Sequence, residues 1–160
     1  MPEKNAVITV RPARREDIPE LLALEQASFS TDRLGRVQFR RFIGSATASV
    51  LVAREGAGQA LPGGRLAGYV LLLFRAGSSK ARIYSIAVDV ACRGLGVGVR
   101  LLLAAEETAR RRGCDVMRLE VRPDNTAARA MYERHGYVAF GSYAGFYEDG
   151  SDAMRLQKRL

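Results

Sequence analysis

Along the 160-residue chain the spacing of apolar positions changes several times, and each change marks an element. Val7–Val10 alternates and predicts a first strand. Asp17 and Glu20 form a D-x-x-E capping signature ahead of Ile18, Leu21, Leu22 and Leu24, so a first helix is expected to about Ser28. Phe39, Phe42 and Ile43 at helical spacing predict a second helix ending near Gly44. The period then drops to two. Val50–Ala53, Leu66–Phe74 and Arg82–Val88 read as strands, separated by the glycine-rich turn Gly56–Gly64 and the turn Ala76–Ser79, in the manner of an antiparallel meander. From Gly96 a helical pattern runs through Leu101, Leu102, Ala105 and Ala109 to a C-cap at Gly113. Val116–Val121 is a strand, Asn125–His135 an amphipathic helix closed by Gly136, and two strands follow around Val138–Tyr143 and Ala153–Gln157. The order β-α-α-β-β-β-α-β-α-β-β predicts an α+β fold in three layers (α/β/α). Its centre is a mixed, mostly antiparallel sheet of about seven strands with about four helices. With no repeat, low-complexity tract or linker, residues 1–160 are expected to form one domain.

Composition narrows the function classes. Apolar residues at 48% and charged residues at 26% disfavour a disordered, collagen-like or coiled-coil chain. The longest apolar runs, Val70–Phe74 and Leu101–Ala105, are far shorter than the roughly 20 residues that span a bilayer. The start Met1–Asn5 is polar, so no membrane association and a cytoplasmic location are expected. Cys92, Cys114 and the single histidine, His135, cannot make a four-ligand zinc site, so no metal is expected, and neither cysteine has a base partner in sequence. Lys and Arg total 25 against 17 Asp and Glu, a net charge of +8, and the excess is nearly all arginine. That charge fits a nearby ribosome or nucleic acid, a phosphorylated cofactor, or an arginine-biased genome with no functional meaning. Oligomeric state is not legible.

The most informative stretch is Arg93-Gly94-Leu95-Gly96-Val97-Gly98, between a strand ending near Val88 and a helix starting near Gly96. Glycines let backbone approach a phosphate, and the free N–H groups of a helix's first turn, with the positive end of its dipole, favour an anion. A pyrophosphate fits such a loop, although a plain glycine turn into a helix fits the residues too. A dinucleotide fingerprint is excluded by register: from Gly94 its third glycine would fall on Val99, and from Gly96 on Leu101. A Walker loop is excluded because the chain has no Gly-Lys pair.

Arg93-x-x-Gly96-x-Gly98, following Ile83-Tyr84-Ser85-Ile86-Ala87-Val88-Asp89, resembles the acetyl-CoA loop of the GNAT-type N-acetyltransferase superfamily. Leu119-Glu120-Val121-Arg122, Asn125, Ala128 and Met131-Tyr132-Glu133-Arg134-His135-Gly136-Tyr137 are similar to the bacterial ribosomal-protein-alanine N-acetyltransferases. The resemblance implies transfer of an acetyl group from acetyl-CoA to a primary amine by direct attack in a ternary complex. The acceptor it implies is the N-terminal α-amine of a protein or peptide. A small-molecule amine or lysine side chain is the alternative acceptor, and a non-catalytic CoA-binding module the remaining one.

The resemblance also implies a sheet splayed at an acetyl-CoA cleft, with Ile83–Val88 and Val116–Val121 as the parting strands. Backbone of Ile86, Ala87 and Val88 would pair with the pantetheine arm. The phosphates would sit over Arg93, Gly94, Leu95, Gly96, Val97, Gly98 and Val99. Asn125 and Tyr132 lie seven positions, about 700° of helix, apart and so face one way. Read alone they are an N-cap and a core aromatic. By resemblance Asn125 binds the arm and Tyr132 stands at the thioester sulfur. Glu120, which by alternation alone is a solvent-facing acid, becomes by resemblance the general base; the carbonyl oxyanion also needs a donor, and the N–H of Val88 is the candidate. Tyr143 and Tyr147, in an aromatic and acidic loop between the last strands, and Phe29, in the segment before the second helix, are the expected acceptor contacts. Where ribosomal-protein-alanine enzymes often carry Pro-Trp after that Phe, this chain has Ser30-Thr31 and no Trp anywhere.

Overall fold

A computed structural model describes residues 7–56 and 64–160; Met1–Asn5 and most of the Gly56–Gly64 turn lie outside them. The elements are β1 (Ile8–Pro12), α1 (Ile18–Ser28), α2 (Arg36–Ile43), β2 (Ala48–Glu55), β3 (Arg65–Phe74), β4 (Lys80–Val88), α3 (Val97–Arg111), β5 (Val116–Val121), α4 (Thr126–Arg134), β6 (Val138–Tyr143) and β7 (Ala153–Arg159). This is the order expected from the pattern, and the strands form one sheet ordered β1-β2-β3-β4-β5-β7-β6. Every neighbouring pair is antiparallel except β4 with β5.

Period-two alternation explains the layering, because β2 and β3 are buried on both faces. Leu51, Ala53, Val70 and Leu72 pack on one face with Leu101, Leu102 and Ala105 of α3. Val50, Val52, Tyr69 and Leu71 pack on the other with Leu21 and Leu24 of α1 and Phe39 of α2. On β5, Met117, Leu119 and Val121 join the first core. Glu120 therefore projects from the opposite face, the one that carries α1 and α2.

Two local readings change. The Asp17 and Glu20 signature does not cap α1, whose N-cap Asp17 makes no side-chain capping bond. Asp17 instead pairs with Arg11 at 2.8 Å and Arg54 at 3.2 Å, and Glu20 pairs with Arg54 at 3.0 Å. The buried guanidinium of Arg54, 37 residues after Asp17 and 34 after Glu20, competes for the carboxylates that a local capping box would use. Cys92, without a partner in sequence, has one in space: its thiol donates to Glu55 at 3.1 Å and accepts from Arg65 at 3.1 Å. Burial pushes that thiol up to about 11, which keeps it protonated and unreactive at neutral pH.

The feature that positions the site is a break in the ladder. β4 pairs with β5 only from Lys80↔Val116 to Ile83↔Leu119. On its other side β4 matches Leu71 to Ser85 and Leu72 to Ile83, so Tyr84 is an extra, bulged residue. A bulge bends its strand, and past Tyr84 the two parallel strands separate.

Candidate active site

Where β4 and β5 part lies a cavity of about 500 Å³. Among its lining residues are six of those picked out in the sequence: Phe29, Ile86, Glu120, Asn125, Tyr132 and Tyr147. The two candidate catalytic side chains reach it from different layers. Tyr132 belongs to the core under α3 and α4, packed edge-on against Tyr137 at 5.6 Å. Glu120 comes from the other face of the sheet.

Glu120 is nearly covered, and its Oε2 accepts from Arg82 Nε at 3.0 Å. Oε1 accepts no hydrogen bond among the described residues, so one oxygen is held and the other is open to a donor. Arg82 was not anticipated. Its only signal is its place on β4, on the same sheet face as Glu120 and across the 82↔118 pairing. Tyr132 is 3% exposed, and its hydroxyl makes no hydrogen bond among the described residues. Burial raises the phenol's pKa well above its ordinary value, with Tyr147 adding to the rise. A phenol held neutral in this way is a hydrogen-bond donor and a poor proton source.

The open edge of β4 presents backbone. Asp89 N donates to Ala67 O at 2.8 Å, which makes the adjacent Gly68↔Val88 pair a non-hydrogen-bonded one. The N–H groups of Val88 and, two residues back, Ile86 therefore turn away from β3 toward the gap. Ala87 points its side chain into the core with α1 and α2 and does not line the cavity. Closeness here depends on glycine: a Cβ on Gly68 would come within 2.7 Å of Ala87 O.

The glycine loop crowns this gap. Gly94 and Gly96 have φ of 81° and 75°, the left-handed region that L side chains rarely adopt. Gly96 is the N-cap of α3 and no side chain caps the helix, leaving first-turn N–H groups without an intrahelical acceptor. Gly98 serves packing as well, since a Cβ there would sit 3.2 Å from Met131 Sδ and 3.7 Å from Val88 Cγ2. α3, α4 and β4 thus meet beside the loop. Val97 is buried in the core below it. Arg93–Val99 are not among the residues that line the cavity. Arg110, Arg111 and Arg112 sit at the other end of α3, about 20 Å of helix away from the loop. Arg112 is occupied over the Phe74 ring at 3.9 Å.

Asn125 is both things the residues allowed: its side chain accepts from Ala128 N at 3.2 Å as the N-cap of α4, and it lines the cavity. His135 closes α4, donating from Nδ1 to Met131 O at 2.8 Å.

Two loops meet over the opposite end. Arg122, two residues after Glu120, donates to Asp149 at 2.9 Å and to Thr31 Oγ1 at 3.3 Å, and stacks on Tyr147 at 4.0 Å. Asp32 N donates to Glu148 and Glu148 N donates to Asp32, each at 3.3 Å. Asp32 has φ of 58°, a conformation that costs energy in a non-glycine residue. The segment after α1 is thereby tied to the β6–β7 loop. Arg122 and Asp32 were missed because the tie joins positions more than 90 residues apart. Tyr143 does not line this cavity. It lies 40% exposed, stacked on Phe146 at 5.6 Å, and lines a neighbouring cavity of about 390 Å³ that shares Arg82, Glu120 and Phe146 with the first.

Among the described residues no helix is long and apolar enough to cross a membrane. The profile of the Acetyltransferase (GNAT) family matches residues 16–137. The chain is 31% identical over 155 residues to N-alpha-acetyltransferase RimI of Mycobacterium tuberculosis, covering 94% of this chain and 92% of that protein. It is 39% identical over 97 residues to an uncharacterized N-acetyltransferase of Methanocaldococcus jannaschii, a match spanning 60% of this chain and 61% of that protein. The crystal structure of Ard1 from Thermoplasma volcanium superposes with a TM-score of 0.81 at 25% identity, over 96% of this chain and 97% of that one. With a splayed sheet, an uncapped glycine-led helix and these matches, the chain belongs to the GNAT acetyltransferase family.

Proposed function

We propose that residues 1–160 act as one cytoplasmic acetyltransferase domain that moves the acetyl group of acetyl-CoA onto the N-terminal α-amine of a protein or peptide. The observation that carries this reading is the cavity at the parting of β4 and β5, which Glu120 and Tyr132 enter from opposite faces of the sheet. Acetyl-CoA lies along the open edge of β4, its arm against the free N–H of Ile86 and the side chain of Asn125. Its diphosphate sits over Arg93–Val99, where glycine backbone and first-turn N–H groups meet the charge. The acceptor enters past Phe29 and Tyr147, with Tyr143 flanking it from the second cavity.

Glu120 Oε1 takes the amine proton while Arg82 holds the other oxygen. The Val88 N–H, already turned into the gap, steadies the oxyanion. Proton transfer from an ordinary tyrosine, pKa about 10, to a thiolate of pKa about 8.5 is uphill by about 2 kcal/mol. Burial makes it steeper for Tyr132, so the phenol acts by hydrogen bonding to the departing sulfur.

An α-amine is the easier nucleophile. At pH 7, freeing the base form costs about 1.4 kcal/mol for a group of pKa about 8 and about 4.6 kcal/mol for lysine at about 10.4. The name of the Mycobacterium tuberculosis relative supports the same acceptor class. Because both substrates are held at once, initial-velocity plots with acetyl-CoA and an N-terminal peptide varied together are expected to intersect. Parallel lines, the sign of an acetylated enzyme, would reject direct attack.

A further inference from the structure

A buried carboxylate outside the reaction scheme is wired to the cavity wall. Glu25 of α1 is 2% exposed and, among the described residues, makes no ion pair. One of its oxygens accepts from Leu34 N at 2.9 Å, and the other accepts from the Tyr69 hydroxyl. Tyr69, itself 0% exposed, is 2.7 Å from Ser85 Oγ. Ser85 lines the cavity, one residue past the bulged Tyr84. Burial pushes the Glu25 carboxyl above its ordinary value, while the donors Tyr69 and Leu34 pull it back.

The chemistry of this chain fixes its direction. The Tyr69 hydroxyl donates its single proton to Glu25. Toward Ser85 the phenol oxygen can then only accept, so Ser85 must donate to it. The Ser85 oxygen keeps its lone pairs, and they are free for a group in the cavity. The wall thus presents an acceptor, the partner that an amine N–H requires.

Resting on the acetyl-transfer reading above, we propose that Ser85 Oγ accepts a hydrogen bond from the N–H of the incoming amine and aims its lone pair at the thioester. Tyr69 and Glu25 are positioning residues that hold the serine hydroxyl in its accepting orientation. Glu25 also pins Leu34, which closes the segment carrying Phe29, Thr31 and Asp32 into the cavity, so the same carboxylate sets the amine contact and the acceptor-side wall.

The test compares Ser85→Ala, Ser85→Thr, Glu25→Gln and the Ser85→Ala/Glu25→Gln double variant with the parent, using a peptide with a free α-amine. Ser85→Ala is expected to lower kcat/KM for the peptide about tenfold with acetyl-CoA Kd unchanged, and Ser85→Thr to keep most of the activity. Glu25→Gln should cost a similar factor, because an amide can donate to Tyr69 and release the fixed direction. The double variant should lose no more than the worse single one, since both changes remove one contact. An effect of Ser85→Ala within twofold, a change carried by acetyl-CoA Kd, or additive losses would overturn the proposal. If Glu25→Gln does not fold, the Ser85→Ala and Ser85→Thr pair decides alone. A parent that acetylates no amine overturns both readings, whereas an active parent with an indifferent Ser85→Ala overturns this one only.

Discussion

Glu120→Gln is expected to lower kcat with a peptide acceptor by about 10² to 10⁴, the usual worth of a positioned proton acceptor, while acetyl-CoA Kd stays unchanged. The amide matches the carboxylate in shape and can still accept from Arg82, so the fold and the 3.0 Å contact are kept in kind. What is lost is the oxygen that takes the proton. Transient kinetics at pH 7 checks this, with isothermal calorimetry for acetyl-CoA on the same sample. Because the cost is one of deprotonation, the loss should shrink as pH rises and more of the amine enters neutral. A variant as fast as the parent at pH 7 would move the base elsewhere, or mean that the amine arrives already deprotonated.

Gly96→Glu is expected to weaken acetyl-CoA binding about 100-fold, equivalent to about 2.7 kcal/mol. The space beside Gly96 is open, since a Cβ there meets nothing within 4 Å. Protein packing therefore does not forbid the side chain; it would fill the space the diphosphate needs. The carboxylate adds like charge at the head of α3, and the φ of 75° strains any L residue. Gly96→Ala isolates that strain: it should cost stability with a smaller loss of affinity. Calorimetry on folded Gly96→Glu checks the claim, and an unchanged Kd would show that the phosphates lie elsewhere.

Most of the fold could be read in advance because its signals are local. The switch from helical spacing at Phe42 and Ile43 to alternation at Val50–Ala53 marks the meander, and positive-φ glycines at 94, 96, 113 and 136 stand where turns and caps were expected. The glycine register likewise anticipated the turn at Gly94 and Gly96 that leads into α3. The features that escaped are contacts between distant positions. Asp17 and Glu20 looked like a capping box because nothing local announces Arg54, and the pairing of Arg82 with Glu120 spans 38 residues. The tie through Arg122 and the chain from Glu25 through Tyr69 to Ser85 depend on which strands and loops the topology brings together.

Whether this protein acetylates α-amines is decided by one competition. Present the protein with acetyl-CoA and equal amounts of two peptides of one sequence with a small first residue and a single lysine. One has a free N-terminus and a blocked lysine; the other has a blocked N-terminus and a free lysine. Mass spectrometry then reads which gains the acetyl group. The free α-amine is expected to be acetylated with the clearly higher kcat/KM, in line with about 3 kcal/mol less deprotonation cost, partly offset by lysine's greater nucleophilicity. A clear preference for the lysine peptide would contradict it.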